Sequence, residues 1–109
     1  MDFFENKKNG WMIVEVKGRL DAMTAPLFRE KIVSLIDQGE IKLLLDLSGM
    51  EYISSAGLRV LFEAAYKIQD LQGKIRCYSL SGNIRKIFRM ADISSEIPDF
   101  PSQEEAMNS

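Results

Sequence analysis

Seven residues, "IKLLLDL" from Ile41 to Leu47, constrain this chain most. A strand with one wet face alternates polar and apolar residues, and three consecutive leucines break that alternation. The run reads as a central strand covered on both faces, which is the habit of parallel sheets flanked by helices. The chain then passes through "YISSAGL" into a helical pattern. Leu58, Leu61, Phe62, Ala65 and Ile68 form one apolar stripe, with Arg59, Glu63, Lys67 and Asp70 on the opposite, wet side.

The flanking sequence fills in the rest. Two β-like runs, Phe3 to Lys8 and Trp11 to Lys17, are separated by Asn9-Gly10, the strongest short hairpin signal. In the second run Met12, Val14 and Val16 alternate with Ile13, Glu15 and Lys17, which predicts one covered face. "GRLDAMTAP" is the exit loop. Thr24 with Pro26 two residues on marks a helix start, and Phe28, Ile32, Leu35 and Ile36 supply its apolar stripe up to Gly39. Gly73 leads into a strand from Ile75 to Leu80. Ser81 then caps a short helix with Ile84, Ile87, Phe88 and Ala91 inward. A last strand-like piece lies around Ser95 to Ile97, and Ser102 stands three residues before Glu105, a capping-box pattern for a terminal helix. Strands alternating with helices predict an α/β fold with crossover connections.

Length and composition bound the function. With 109 residues the chain is one domain that needs no disulfide or metal staple. A net charge of −2 argues against nucleic acid or an anionic membrane as main partner. The lone cysteine, Cys77, sits in an apolar run and reads as a core residue in a reducing compartment. There is no histidine, which removes Ser-His-Asp and Cys-His nucleophiles and every His-bearing zinc site. Asp2 and Glu5 near the N-terminus, without a sustained apolar stretch, do not make a signal peptide, and no apolar run reaches membrane-span length. The expected location is the cytosol, with no cofactor and no metal.

Few residues remain that could carry chemistry. Asp21 and Asp46 each end a strand pattern, where α/β folds place sites, but loop capping explains both. "LQGK" lacks the rest of a phosphate-binding loop. Arg85, Lys86 and Arg89, with Arg76 nearby in sequence, read as a solvated helix face or a contact for an acidic partner. That leaves Ser54, Ser55, Ala56 and Gly57 at the helix start. A serine there is a preferred N-cap, typically worth ~1 kcal/mol. Gly57 is harder to explain, because alanine would favour the first turn by about 1 kcal/mol. A glycine at this position suggests close approach by another protein or by a transferred phosphate.

Four segments, "GRLDAMTAP", "LLLDLSGMEYISSAGL", "GKIRCYSLS" and "PSQEEAM", fall in the order and spacing of a STAS domain. Over nearly its whole length the chain resembles the bacterial anti-sigma factor antagonists. The resemblance implies a single STAS-like domain over residues 1–109, ordered from about 3 to 107, with a small, mixed, mostly parallel sheet. An N-terminal hairpin and helices packed against that sheet would complete it. It also implies a protein that is not an enzyme. In its unphosphorylated form the chain would bind a serine kinase that is also the anti-sigma factor, and phosphorylation of Ser55 would switch it off. A phosphoserine phosphatase would reset it, and ATP and Mg²⁺ would belong to the kinase. Aligning on Gly57-Leu58 puts Ser55 on the phosphorylated position and Asp21 on an acidic loop residue near it. The implied contact set is Asp21, Ser54, Ser55, Ala56, Gly57 and Arg59. The chain departs from the commonest pattern at two positions. Ser54 stands where many members have aspartate, which makes it the second-choice phosphoacceptor, and Ala56 stands where they often have serine or threonine. The alternative implied by the same family is a non-phosphorylated subunit of a lipid-transport or signalling scaffold assembly. Ser55 would then be only a cap and Gly57 only a packing choice.

Overall fold

The computed structural model describes residues 1–109. Strands β1 (Asp2–Lys8) and β2 (Trp11–Leu20) pair antiparallel across a tight turn in which Asn9 and Gly10 both take positive φ, at 52° and 83°. Such a turn matches the right-handed twist of the strands it joins. Helix α1 (Ala25–Asp37) and strand β3 (Lys42–Asp46) follow, then β4 (Met50–Ile53), α2 (Ser55–Asp70), β5 (Lys74–Tyr78) and α3 (Gly82–Met90). A two-residue strand β6 (Asp99–Phe100) and helix α4 (Gln103–Met107) complete the chain. The sheet runs β1-β2-β3-β5-β6, parallel everywhere except at the hairpin, and β4 pairs with β2. This is the mixed α/β sheet that the alternation of patterns predicts.

The three leucines of β3 are buried, as a central strand requires. Leu43 and Leu45 face the larger core, with Phe28 and Ile32 of α1, Leu61 and Ala65 of α2, and Ile84 and Phe88 of α3. Leu44 faces the other side and joins Trp11, Ile13, Tyr78 and Ala106. Burial of Ile13 and Trp11 departs from the single covered face expected for β2; α4 supplies the second cover. Ser102 caps α4, its Oγ accepting from the Glu105 amide at 3.2 Å, so one half of the expected capping box forms. No helix is long and apolar enough to cross a membrane.

The structure corrects the strand reading in four places. β5 ends at Tyr78 rather than Leu80, and Ser79 turns left-handed at φ 60°. β2 runs on to Leu20, because its last residues find a partner in β4. The strand β4 has no counterpart in the sequence reading, where its four residues fell inside the junction before α2. Around residues 93–97 there is no strand: Ile93–Ser95 form a single 3₁₀ turn, and the pairing with β5 begins at Asp99. A left-handed Asp92, at φ 54°, breaks the chain just before that turn.

Candidate functional site

The site is assembled at the C-terminal end of the sheet by the pairing of β2 with β4. When β3 ends at Asp46 the chain turns, and β4 takes over as neighbour of the far half of β2, matching Gly18 with Met50 and Leu20 with Ile53. An irregularity between Gly18 and Arg19 lets β2 change partners there. Gly18 sits at φ +104°, which glycine tolerates, and its amide donates to the Gly49 carbonyl at 2.9 Å. The last rung is the Ser54 amide donating to the Leu20 carbonyl at 2.9 Å. Asp21 and Ser54 are the next residues beyond the Leu20–Ile53 pair, so the fold brings the Asp21 loop to the start of α2.

Ser54, not Ser55, is the N-cap. Its backbone is extended, at φ −93° and ψ 174°, and its Oγ accepts from the Gly57 amide at 3.3 Å. Ser55 is the first helical residue, is exposed, and its hydroxyl makes no hydrogen bond within the chain. The alternative in which Ser55 is only a cap therefore gives way to a division of labour. One hydroxyl holds the helix start and the other is free.

Gly57 also has a different reason from the one expected. It is buried, and a Cβ there would lie 2.8 Å from Leu20 Cγ and 2.9 Å from Ile53 Cγ1. The close approach comes from the chain's own core, because α2 starts directly on the ends of β2 and β4. No docking molecule is needed to explain this glycine, and Gly57 supports the site from beneath.

On the other side the loop after β2 is pinned by Asp21. Its Oδ1 accepts from the amides of Met23 at 3.0 Å and Thr24 at 3.1 Å. The Thr24 hydroxyl accepts from the Asp21 amide and donates to the Arg19 carbonyl. The hydrogen bond from the Thr24 amide, more than any other contact, holds the Asp21 carboxyl below the usual carboxylate range. Asp46 makes a similar turn with Ser48, through its amide and hydroxyl. Both aspartates are thus loop caps as they stand. No cluster of three or more His, Cys, Asp or Glu side chains is arranged to hold a metal.

Three residues around this end escaped the sequence reading. Met23 is 86% exposed at the tip of the pinned loop, Tyr52 is exposed on β4, and the Arg19 guanidinium lies 4.4 Å from the Tyr52 ring centroid. A methionine inside a tight polar loop was the available signal, since no core can reach it. Between α1 and α2, Ala22, Ala25, Ala56 and Val60 floor a shallow groove. Arg29 and Glu63 close it with a two-pronged ion pair, Nε to Oε1 at 2.8 Å and Nη2 to Oε2 at 2.7 Å. The hydrogen bond from Arg29 lowers the Glu63 carboxyl pKa. Arg59 also lines this groove, and Ala56 follows Ser55 directly in the chain. The basic residues of α3 are elsewhere engaged in part: Arg85 approaches Asp99 at 3.9 Å and bonds the Leu80 carbonyl.

Comparison with known proteins identifies the family. The STAS domain family model matches residues 5–106. A Bordetella bronchiseptica protein carrying the name anti-sigma factor antagonist BtrV is 31% identical over 101 residues, 93% of this chain and 87% of the relative. Among solved structures, an anti-sigma factor antagonist from Thermotoga maritima superposes with a TM-score of 0.92 over 97% of this chain and 92% of its own, at 20% identity. The Bacillus cell fate determinant SpoIIAA, in its phosphorylated form, gives 0.74 over 98% and 97% at 19% identity. A family model spanning nearly the whole chain, together with that Bordetella relative, shows that the chain belongs to the STAS domain family, among the anti-sigma factor antagonists.

Proposed function

We propose that this chain is a regulatory binding protein that antagonises an anti-sigma factor. In this reading it docks the Ser55 end of α2 and the Asp21 loop onto an anti-sigma factor that is also a serine kinase. Phosphorylation of Ser55 releases it, and a phosphoserine phosphatase restores it. The observation that carries the reading is the free Ser55 hydroxyl beside the capped Ser54. A kinase needs an exposed, uncommitted acceptor, and only one of the two serines is that. The family's antagonists and a structural neighbour in a phosphorylated form support it. The rival reading of a non-phosphorylated subunit assigned Ser55 to capping, and the cap is already supplied by Ser54. Its other assignment, Gly57 as a packing choice, agrees with the burial of that residue.

The chemistry of a switch follows from charge. A phosphoserine carries about −1.5 to −2 charges, and the start of a helix accommodates them, so the fold survives modification. At a closed interface one like-charge pair roughly 6 Å apart, at an effective dielectric of about 20, costs about 2.8 kcal/mol. That is on the order of a hundredfold in affinity. The test is incubation with ATP and candidate anti-sigma kinases, followed by phosphosite mapping by mass spectrometry. Phosphate on Ser55, lost in Ser55→Ala, is the expected result. Phosphate on Ser54, or undiminished phosphate in that variant, overturns the assignment.

A further inference from the structure

We propose that Arg59 is the chain's own receptor for the phosphate on Ser55, closing an ion pair along one turn of α2 when the serine is modified. The proposal rests on the reading of Ser55 as phosphoacceptor and adds the residue that receives the charge. Ser55 and Arg59 are four residues apart in α2, so they lie on one face of the helix, one above the other. Helix side chains lean toward the N-terminus, so an arginine at this position has the reach to close on a phosphate at Ser55. An anion placed N-terminal to a cation at this spacing is the favoured orientation. Guanidinium matches phosphate with a fork of donors.

The other arginines at this end each have a side-chain partner. Arg29 is held in two bonds by Glu63, and Arg19 is stacked over Tyr52. Arg59 is exposed and makes no ion pair with a carboxylate. Ser54 cannot serve the same arginine as well, because its oxygen is committed beneath the Gly57 amide. Modification then changes two things at the docking end. It adds negative charge, and it takes Arg59, available to a partner in the unmodified chain, into an internal pair.

The pair is read from the titration of the phosphate itself. Phosphoserine is installed at position 55 by synthesis, so that no kinase is required, and its second ionisation is followed by ³¹P NMR in low salt. Other charged groups on the elements that meet at this end are Arg19 and Asp21 at the end of β2, Glu51 of β4, and the Arg29–Glu63 pair. All are common to the chains compared. Replacing arginine by glutamine in Arg59→Gln should raise the phosphate pKa by about 0.3, the value expected of one helical ion pair. In ~1 M salt, where the screening length is near 3 Å, that difference should largely vanish. Equal pKa values in the two chains at low salt would overturn the proposal, and so would a difference that high salt leaves intact. The kinase reading fails separately, if anti-sigma kinases and ATP leave unmodified Ser55 free of phosphate while the synthetic phosphoprotein shows the Arg59-dependent titration.

Discussion

Ser54 is extended and its oxygen lies under the Gly57 amide, while Ser55, one residue on, is helical and exposed. Identical side chains therefore carry different costs when removed. Ser54→Ala should lose about 0.5–2 kcal/mol of stability, the usual range for an N-cap. Ser55→Ala, which removes no bond within the chain, should stay within about 0.5 kcal/mol of wild type. Urea denaturation of the two variants measures both, and equal losses would mean that the cap is shared. Gly57 gives a second contrast at this scale. Its missing Cβ would press on Leu20 and Ile53, both buried, so neither neighbour can swing into solvent. Gly57→Val should destabilise the fold by roughly 1–3 kcal/mol or more, as overpacking does, and any loss of docking should follow from the displaced helix start. A variant that melts like wild type would put the glycine's purpose outside the core.

At the scale of elements, the site depends on a strand of four residues. Met50–Ile53 hold the end of β2 in register, and the Ser54 rung to Leu20 seats α2 beside the Asp21 loop. A rigid loop and a helix start are thus fixed to the same pair of strand ends, so a charge added at Ser55 needs no moving part to be felt at an interface. Ser55→Asp should keep the fold, because a carboxylate suits the first turn of a helix. It carries one charge where phosphate carries nearly two, so it should weaken partner binding only in part. Calorimetry of the unmodified, Ser55→Asp and phosphorylated chains against the purified anti-sigma factor should rank them in that order of falling affinity. Equal affinities would place Ser55 outside the interface.

Across the whole molecule, one core of 25 buried residues joins α1, α2 and α3 to the sheet, and a smaller one lies under α4. Cys77 sits in the larger core at 0% exposure, and burial pushes its thiol pKa far up. A thiolate forms there only after the sheet opens, since the charged form is not tolerated inside. Cys77 should accordingly react with a thiol reagent at pH 8 only as fast as the fold opens. Phosphorylation at the distant helix start should leave that rate nearly unchanged. Rapid labelling of the folded chain would show that β5 is far more mobile than its burial implies.

How much of this was legible beforehand depended on the range of the interactions. The three leucines of β3, the Asn-Gly turn, the stripe of α1 and the caps Ser81 and Ser102 speak through local spacing, and those elements stand where the spacing puts them. The expected proximity of the "SSAGL" start and the Asp21 loop is likewise met, since the Leu20–Ile53 pair sets them side by side. Other features depend on partners remote in the chain. Met50–Ile53 is too short to show a period, and it is a strand because the bulged end of β2 offers it a free edge. Ile13 is buried because a helix ninety residues away covers its face. Gly57 is required by Leu20, and Ser55 is left free because the chain enters the helix one residue earlier. Long local periodicity was enough to tell strand from helix along most of the chain. Tertiary structure alone decided which of two equal hydroxyls is tied down, because that choice is made by the geometry of packing between distant segments.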